Sequence, residues 1–188
     1  VIDTQRDNKI LRLDKTHAWN PQQGTMFYWN PKRPETEFFF NDMDPDTGVV
    51  FTVLYDIKKS KRIREYRFGN ESIANGGVAP NGKWLAGINY GKVSRLREII
   101  SYQGTSDFSL GGTVNGDNDG LYKVNIKTGN KELLVSYKTL AEFLKVKNSD
   151  SYPIYVHHTL WNRDSDRLFF VVRGDGRGDV TRLENWNP

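Results

Sequence analysis

The feature that most constrains this chain is a series of short apolar runs, each closed by turn residues. Residues 49–57 (VVFTVLYDI) end at a Lys-Lys-Ser turn, and residues 84–90 and 121–126 are each flanked by glycine. Runs of this length that are rich in β-branched and aromatic residues are typical of strands. Only residues 137–146 (YKTLAEFLKV) have the apolar spacing of a helix. The sequence therefore predicts a mainly β fold.

The turns also recur in a fixed order along the chain. Residues 19–28 align without a gap with residues 161–170, and residues 78–86 join both after one deletion. A second polar turn follows, at residues 55–61 and 124–131. This order describes a four-stranded antiparallel meander, the blade of a β-propeller. A β-sandwich is the main rival, but sandwiches do not repeat their turns in this order.

We therefore predict an all-β fold, a β-propeller of four-stranded antiparallel blades. The predicted blades span residues 15–70, 71–148 and 149–188, with the third incomplete. Propellers close with ~4–8 blades, so about two and a half blades are part of a larger ring. The remaining blades are expected to be partners of this segment. The first predicted blade offers one extended piece too many for four strands, and the sequence leaves that choice open.

Composition excludes several classes of protein. The chain has no cysteine, which excludes disulfides, thiolate metal sites and a cysteine nucleophile. No run approaches the ~20 apolar residues of a membrane helix, so no membrane partner is expected. A net charge of +4 without a dense basic block beyond residues 58–62 favours an anionic ligand over nucleic acid. The first residues lack the apolar segment of a signal peptide, and the start is expected to be processed or cut.

Two sets of motifs resemble known families. Residues 78–86 (VAPNGKWLA) followed by residues 120–129 (GLYKVNIKTG) resemble the repeat of TolB-type bacterial propellers. The second set comprises residues 17–24 (HAWNPQQG), 40–42 (FND), 95–97 (RLR) and 158–162 (HTLWN). This set resembles a group of bacterial propellers similar to the polysaccharide lyases that act on ulvan and, more distantly, on oligogalacturonate. The resemblance implies a seven-bladed ring, a role in carbohydrate metabolism and a periplasmic or secreted location.

Meander topology predicts which loops share a face, because connections alternate between the two faces of a blade. The turns at residues 81–82 and 128–129 take one face. The opposite face receives residues 15–19, 41–48, 70–77, 91–120 and 149–158. All three histidines, His17, His157 and His158, belong to that face. His157 and His158 are neighbours on a predicted strand, so their side chains are expected to point in opposite directions.

Cleavage of a uronate-containing glycan by β-elimination needs three groups. One neutralises the sugar carboxylate, a base removes the adjacent proton, and an acid protonates the leaving oxygen. Similarity to the ulvan-type lyases implies His17 or His158 as the base, Tyr90 as the acid and Arg97 as the neutraliser. The expected substrate-binding residues are Arg95, Asn41 and Tyr102 on the same face, together with Gln23. The expected partner is an acidic polysaccharide or oligosaccharide.

No two histidines have the i, i+2 spacing that places both on one side of a strand, as a pair of metal ligands would need. A divalent cation stays possible as a cofactor, and the sequence does not decide it. Residues 42–48 (DMDPDTG) resemble a calcium loop, but the glycine is one place late and Val53 stands where an acidic ligand belongs. We therefore predict a turn there.

Each candidate also has a purely structural interpretation. His17 could cap a strand, Arg95 and Arg97 could pair with loop acids, and Tyr90 could belong to the core. The sequence thus leaves two functions open, a polysaccharide lyase and a non-catalytic propeller that binds a glycan or a protein. A hydrolase is a third option, for which Asp42 and Asp44 would be the local carboxylate pair.

Overall fold

A computed structural model of the protein describes residues 1–174. The end of the third predicted blade, residues 175–188, lies outside the described residues. The strands are β1 (Ile2–Asp3), β2 (Lys9–Ile10), β3 (Tyr28–Trp29), β4 (Glu37–Met43), β5 (Val50–Asp56), β6 (Lys61–Tyr66), β7 (Ile73–Val78), β8 (Trp84–Asn89), β9 (Gly120–Asn125), β10 (Lys131–Ser136), β11 (Ile154–Trp161) and β12 (Leu168–Gly174). The helices are α1 (Tyr90–Arg97) and α2 (Tyr137–Phe143), with a 3₁₀ turn at Glu98–Ile100.

The strands pair in chain order. The first sheet has the order β3-β4-β5-β6 and the second the order β10-β9-β8-β7, and both are antiparallel throughout. A third hairpin pairs β11 with β12, and a short hairpin joins β1 to β2. The mainly β fold, built from four-stranded antiparallel meanders, is thus confirmed for the described part of the chain.

The first hairpin turn of the first sheet lies later than the sequence repeat predicted. It connects Trp29 to Glu37, where the Asn30 amide donates to the Glu37 carbonyl at 2.9 Å. Equivalent bonds close the turn between β7 and β8, from Ala79 to Trp84, and the turn between β11 and β12, from Asn162 to Arg167. The motif Trp-Asn-Pro occurs at residues 19–21 and again at residues 29–31. Only the second copy occupies the position in its turn that Trp161 and Asn162 occupy in theirs. Residues before β3 therefore lie outside the sheet. They account for the extended piece that exceeded the four strands of the first predicted blade.

The sheets stack on one another through apolar faces. Phe39 and Leu54 of the first sheet pack with Leu85 and Val124 of the second. The second sheet in turn packs against the third hairpin and α2 through Leu121, Leu140 and Val156, among others. Each sheet therefore covers one face of the sheet that precedes it in the chain.

The outward face of the first sheet is only partly covered. Phe38, Phe40 and Val53 lie there, with Leu13 of the N-terminal segment packed against them. An open groove of about 510 Å³ remains between that segment and the sheet. At the other end of the stack, Leu160 and Phe169 of the third hairpin are largely exposed.

The helix α2 forms where its apolar spacing predicted it, with the Ser136 hydroxyl accepting from the Thr139 amide at 3.1 Å. The helix α1 was not predicted, because its region was expected to be an irregular loop. Asn89 caps it by accepting from the Lys92 amide at 3.0 Å, and Tyr90, Val93 and Leu96 form its buried side. No helix among the described residues is long and apolar enough to cross a membrane.

Candidate functional site

Residues 15–26 form a segment that reaches from the first sheet to the third hairpin. Its Gln23 side chain contacts His158, with 3.2 Å between the two Nε2 atoms. The turn that carries Gln23 is held by Asn20, whose side chain accepts from the Gln23 amide at 2.7 Å. Two predicted site residues, Gln23 and His158, are therefore in contact, although the sequence placed only His158 on the face of the histidines. Trp19 of the same segment is 61% exposed.

A β-bulge in β11 places His158 in this position. The pairing with β12 shifts between His157 and Leu160, and His158 has a φ of 51°. A bulge of this kind redirects a side chain, and histidine tolerates the left-handed region better than most residues. The rings of His157 and His158 consequently touch, with centroids 4.1 Å apart and their Nδ1 atoms in contact. The expectation that the two side chains diverge was therefore wrong.

The ring nitrogens of the two histidines differ in their partners. The Gln23 amide nitrogen lies 3.2 Å from Nε2 of His158, and Nδ1 of His158 contacts Nδ1 of His157. Nε2 of His157 is buried and has no partner within residues 1–174.

Both imidazoles are held in the neutral form. Burial, followed by the nearby charges of His158 and Arg173, lowers the pKa of His157 to about 4. Burial and Arg173 also lower the pKa of His158. A neutral, partly exposed histidine is competent to accept a proton.

Arg173 is a residue that the sequence did not single out. It lies on β12 directly opposite Tyr155 of β11, close enough to both imidazoles to lower their pKa. Arg173 could have been recognised as a site residue only from the register of β11 against β12. That register depends on the bulge and cannot be read from the amino-acid sequence.

Close packing of the inner strands holds β11 in place. A Cβ atom built on Gly76 of β7 would lie 2.7 Å from Oγ1 of Thr159, and one on Gly77 would lie 3.1 Å from the Thr159 carbonyl. A side chain at Gly76 would therefore push the strand that carries His157 and His158.

His17 lies on the same segment as Gln23 and is held by Asp42. The Asp42 carboxylate accepts from the His17 amide at 2.7 Å, and its Oδ1 is 3.7 Å from Nδ1 of the ring. Arg62 binds the other carboxylate oxygen at 2.7 Å. Burial would raise the pKa of Asp42, but the bonds from His17 and Arg62 outweigh it and lower that pKa. The His17 ring is exposed and available to a ligand.

Three further predicted site residues, Asn41, Tyr90 and Tyr102, come together in the core. The two tyrosine rings stack with centroids 4.9 Å apart. The Asn41 side chain donates to the Tyr102 hydroxyl at 3.2 Å, and the Tyr90 hydroxyl donates to the Asn75 carbonyl at 2.9 Å. Tyr90 is only 2% exposed, and burial raises its pKa well above the usual value. In this position its hydroxyl does not reach the surface.

Arg95 and Arg97 lie on α1, where a two-residue separation turns side chains to nearly opposite sides. Arg95 pairs with Asp107 through a 2.7 Å contact between Nε and Oδ2. Burial would raise the pKa of Asp107, but bonds from Ser109 and Arg95 lower it. Arg95 is thus paired with a loop acid, as its structural interpretation expected.

The turn between β4 and β5 forms as predicted. Asp44 accepts from the Asp46 and Thr47 amides at 3.1 and 3.0 Å, and Gly48 has a φ of 69°. Asp42, the other carboxylate of the hydrolase option, is bound to Arg62. Within residues 1–174, no group of three or more His, Cys, Asp or Glu side chains is arranged to hold a metal ion.

No protein-family model, no curated protein and no solved structure matches the chain significantly.

Proposed function

We propose that these sheets are successive blades of a β-propeller. Three features support the proposal: the fixed order of the strands, the repeated first turn, and the stacking of each sheet on the one before it. The two ends of the stack both present apolar side chains, with Phe27 and Trp29 partly exposed at one end and Leu160 and Phe169 at the other. Exposed apolar surface of this kind marks an interface, and further blades would cover both ends.

On this scaffold we propose a polysaccharide lyase that cleaves a uronate-containing glycan by β-elimination. The observation that carries the proposal is the neutral His158, exposed at the bulge with Arg173 nearby. A neutral imidazole can take a proton, and a guanidinium can bind a carboxylate through two parallel hydrogen bonds.

The reaction assigns one role to each group. Arg173 binds the uronate carboxylate and makes the adjacent C5–H acidic, and Nε2 of His158 removes that proton once substrate has displaced Gln23. The electron pair forms the C4=C5 double bond as the C4–O bond breaks. His17, exposed beside Asp42, protonates the leaving oxygen. In this scheme His17 takes the acid role that the resemblance gave to Tyr90, because the Tyr90 hydroxyl is buried and bonded to Asn75.

A second candidate is a propeller that binds acidic glycans without cleaving them. The observation that favours it is the burial of Tyr90, the acid that the resemblance implied. Arg173, Gln23 and the exposed Trp19 would serve binding equally well, since aromatic rings and arginine both recognise sugars without chemistry.

The test is the ultraviolet absorbance of unsaturated uronate during incubation with ulvan, pectate fragments and glycosaminoglycans. We expect absorbance to rise with at least one polymer and the rate to fall by about 10²-fold or more in His158→Ala. Lys127→Ala, at an exposed position in the turn between β9 and β10, is the control and should leave the rate unchanged. No absorbance change with any acidic glycan would refute the lyase, and saturable binding without turnover would favour the second candidate.

A further inference from the structure

The segment that carries His17 lies outside the sheets, and Arg62 of β6 bonds to it at two consecutive residues. The Nε atom of Arg62 donates to the Asp14 carboxylate at 2.8 Å, and Nη2 donates to the Lys15 carbonyl at 3.1 Å. The same Nη2 donates to Oδ2 of Asp42 on β4 at 2.7 Å. One guanidinium therefore binds both the segment and the carboxylate that accepts from the His17 amide.

Asp42 is the link between Arg62 and His17. Its Oδ1 accepts from the His17 and Met43 amides at 2.7 and 2.8 Å, whereas its Oδ2 bonds to the guanidinium. The Asp42 side chain is only 6% exposed, and a carboxylate buried to this extent is costly unless a cation neutralises it. Within residues 1–174, the other cationic partner of this carboxylate is the His17 ring, whose Nδ1 lies 3.7 Å from Oδ1.

The remaining contacts next to His17 fix its backbone but do not hold its ring. The Thr16 hydroxyl donates to the Asn41 carbonyl at 2.8 Å, a bond that does not involve the Asp42 carboxylate. Without Arg62, the buried carboxylate would be left with the imidazole as its cationic partner. The His17 ring would then turn towards Asp42 and away from the surface.

We propose that Arg62 is a positioning residue for the proposed reaction: it binds Asp42 and the segment together and so keeps the His17 imidazole exposed, where it can protonate the leaving oxygen. The inference rests on the proposed function for the role of His17 as the acid. Arg62 acts through Asp42, because its own donors are taken by protein groups, with Nη1 bonded to Glu65 at 3.1 Å. Lysine could not replace it, since an ammonium lacks the planar fork that reaches several acceptors at once.

Nuclear magnetic resonance of the whole chain tests this role without any substrate. In Arg62→Gln we expect the His17 amide to exchange with solvent at least about tenfold faster, because the segment loses two of its bonds to the sheet. We also expect the ring signals of His17 to move as the ring pairs with Asp42. Arg62→Lys should change both signals in the same direction. The amides of β4 and β5 should stay protected in both variants, which shows that they are folded.

Arg64→Gln is the matched control. Arg64 lies on the same strand as Arg62, but its guanidinium donates to the Ile126 and Lys127 carbonyls of the second sheet and its turn. This variant should leave the amide exchange and the ring signals of His17 unchanged. If Arg62→Gln leaves them unchanged as well, the inference is refuted. Wild-type signals in Arg62→Lys would also refute it, since charge alone would then suffice.

Kinetics separate a positioning role from a purely structural one. On a polymer that the wild type cleaves, Arg62→Gln should lower kcat about tenfold or more and leave KM unchanged, because a general acid acts in the elimination step. Arg64→Gln should change neither. An unchanged kcat in Arg62→Gln would refute the inference, while turnover by the wild type preserves the proposed function. If the wild type cleaves no acidic glycan, the lyase is refuted, whereas His17 signals that move in Arg62→Gln still establish that Arg62 fixes the ring.

Discussion

Two buried polar regions lie side by side in this protein and differ in how their hydrogen bonds are satisfied. Around Asn41, every side-chain atom has a partner, since its nitrogen donates to Asn75 and Tyr102 and its oxygen accepts from Thr52 and Asn75. Along β11, Tyr155 and His157 have buried polar atoms without partners. A satisfied network stabilises a fold and specifies its packing, whereas an unsatisfied one is retained at a cost. We expect the first region to stabilise the fold, whereas the second adjoins the histidines of the proposed site.

The largest effect is expected in the satisfied region. Asn41→Leu keeps the branched shape of the side chain but removes its four hydrogen bonds, so that the Thr52 hydroxyl loses its acceptor and the Tyr102 hydroxyl loses a donor. We expect the free energy of unfolding to fall by about 4 kcal/mol. Urea denaturation followed by fluorescence measures it. A loss in free energy of unfolding below about 1 kcal/mol would mean that the hydrogen bonds around Asn41 do not stabilise the fold.

The second prediction concerns acid. His157 has a folded pKa of about 4, below its ordinary 6.5, so the folded state resists protonation. Its contribution to stability is complete above pH 6.5 and is lost as the pH falls towards 4, by about 3 kcal/mol. Urea titrations of the wild type and His157→Gln across this range isolate the effect. The difference in free energy of unfolding between the wild type and His157→Gln should change with pH. The loss of free energy of unfolding caused by Asn41→Leu should not. Parallel curves would contradict the buried, neutral imidazole.

The third prediction tests the packing that positions β11. Gly76→Ala places a methyl group against Thr159 and Ile88, and we expect it to cost about 2 kcal/mol. Gly112→Ala is the control, since a Cβ there has its nearest neighbour at 3.5 Å. Thermal unfolding compares the two variants. Equal melting temperatures would show that β11 does not pack closely on β7.

The smallest expected effect is the stability difference between two Tyr→Phe variants, one with a bonded hydroxyl and one without. Tyr66→Phe removes a hydroxyl that has a partner and should cost about 1 kcal/mol. Tyr155→Phe removes an unpartnered hydroxyl and should leave stability unchanged or slightly higher. Paired urea titrations give both values. A loss in Tyr155→Phe as large as that in Tyr66→Phe would contradict the contrast.

Much of the fold could be predicted from the sequence because alternation and turn residues act locally. The runs that became β5, β8 and β9 were identifiable, as was α2 from its apolar spacing. The helix α1 was missed because its eight residues include glycine and four polar side chains, so its buried side emerges only against the core. The duplicated Trp-Asn-Pro misplaced the first turn, since only strand pairing distinguishes the two copies.

The site was predictable only in part. Gln23 and His158 were both candidates from the sequence, and the structure brings them into contact, but chain topology did not place Gln23 on the face of the histidines. The grouping of Arg173 with the histidines depends on a bulge and on strand register, which are properties of the paired strands. The burial of Tyr90 and Tyr102 likewise follows from α1 packing over the sheets, which the letters alone did not reveal.

The most direct test of the account is to follow the histidine side-chain resonances by nuclear magnetic resonance while digalacturonate is added. We predict that the signals of His157 and His158 shift together and saturably, and that Arg173→Gln weakens the response about tenfold. Resonances of Asn41 and Tyr102, in the satisfied network, should stay in place. Shifts confined to that network, or absent from both histidines, would contradict the assignment of ligand binding to β11.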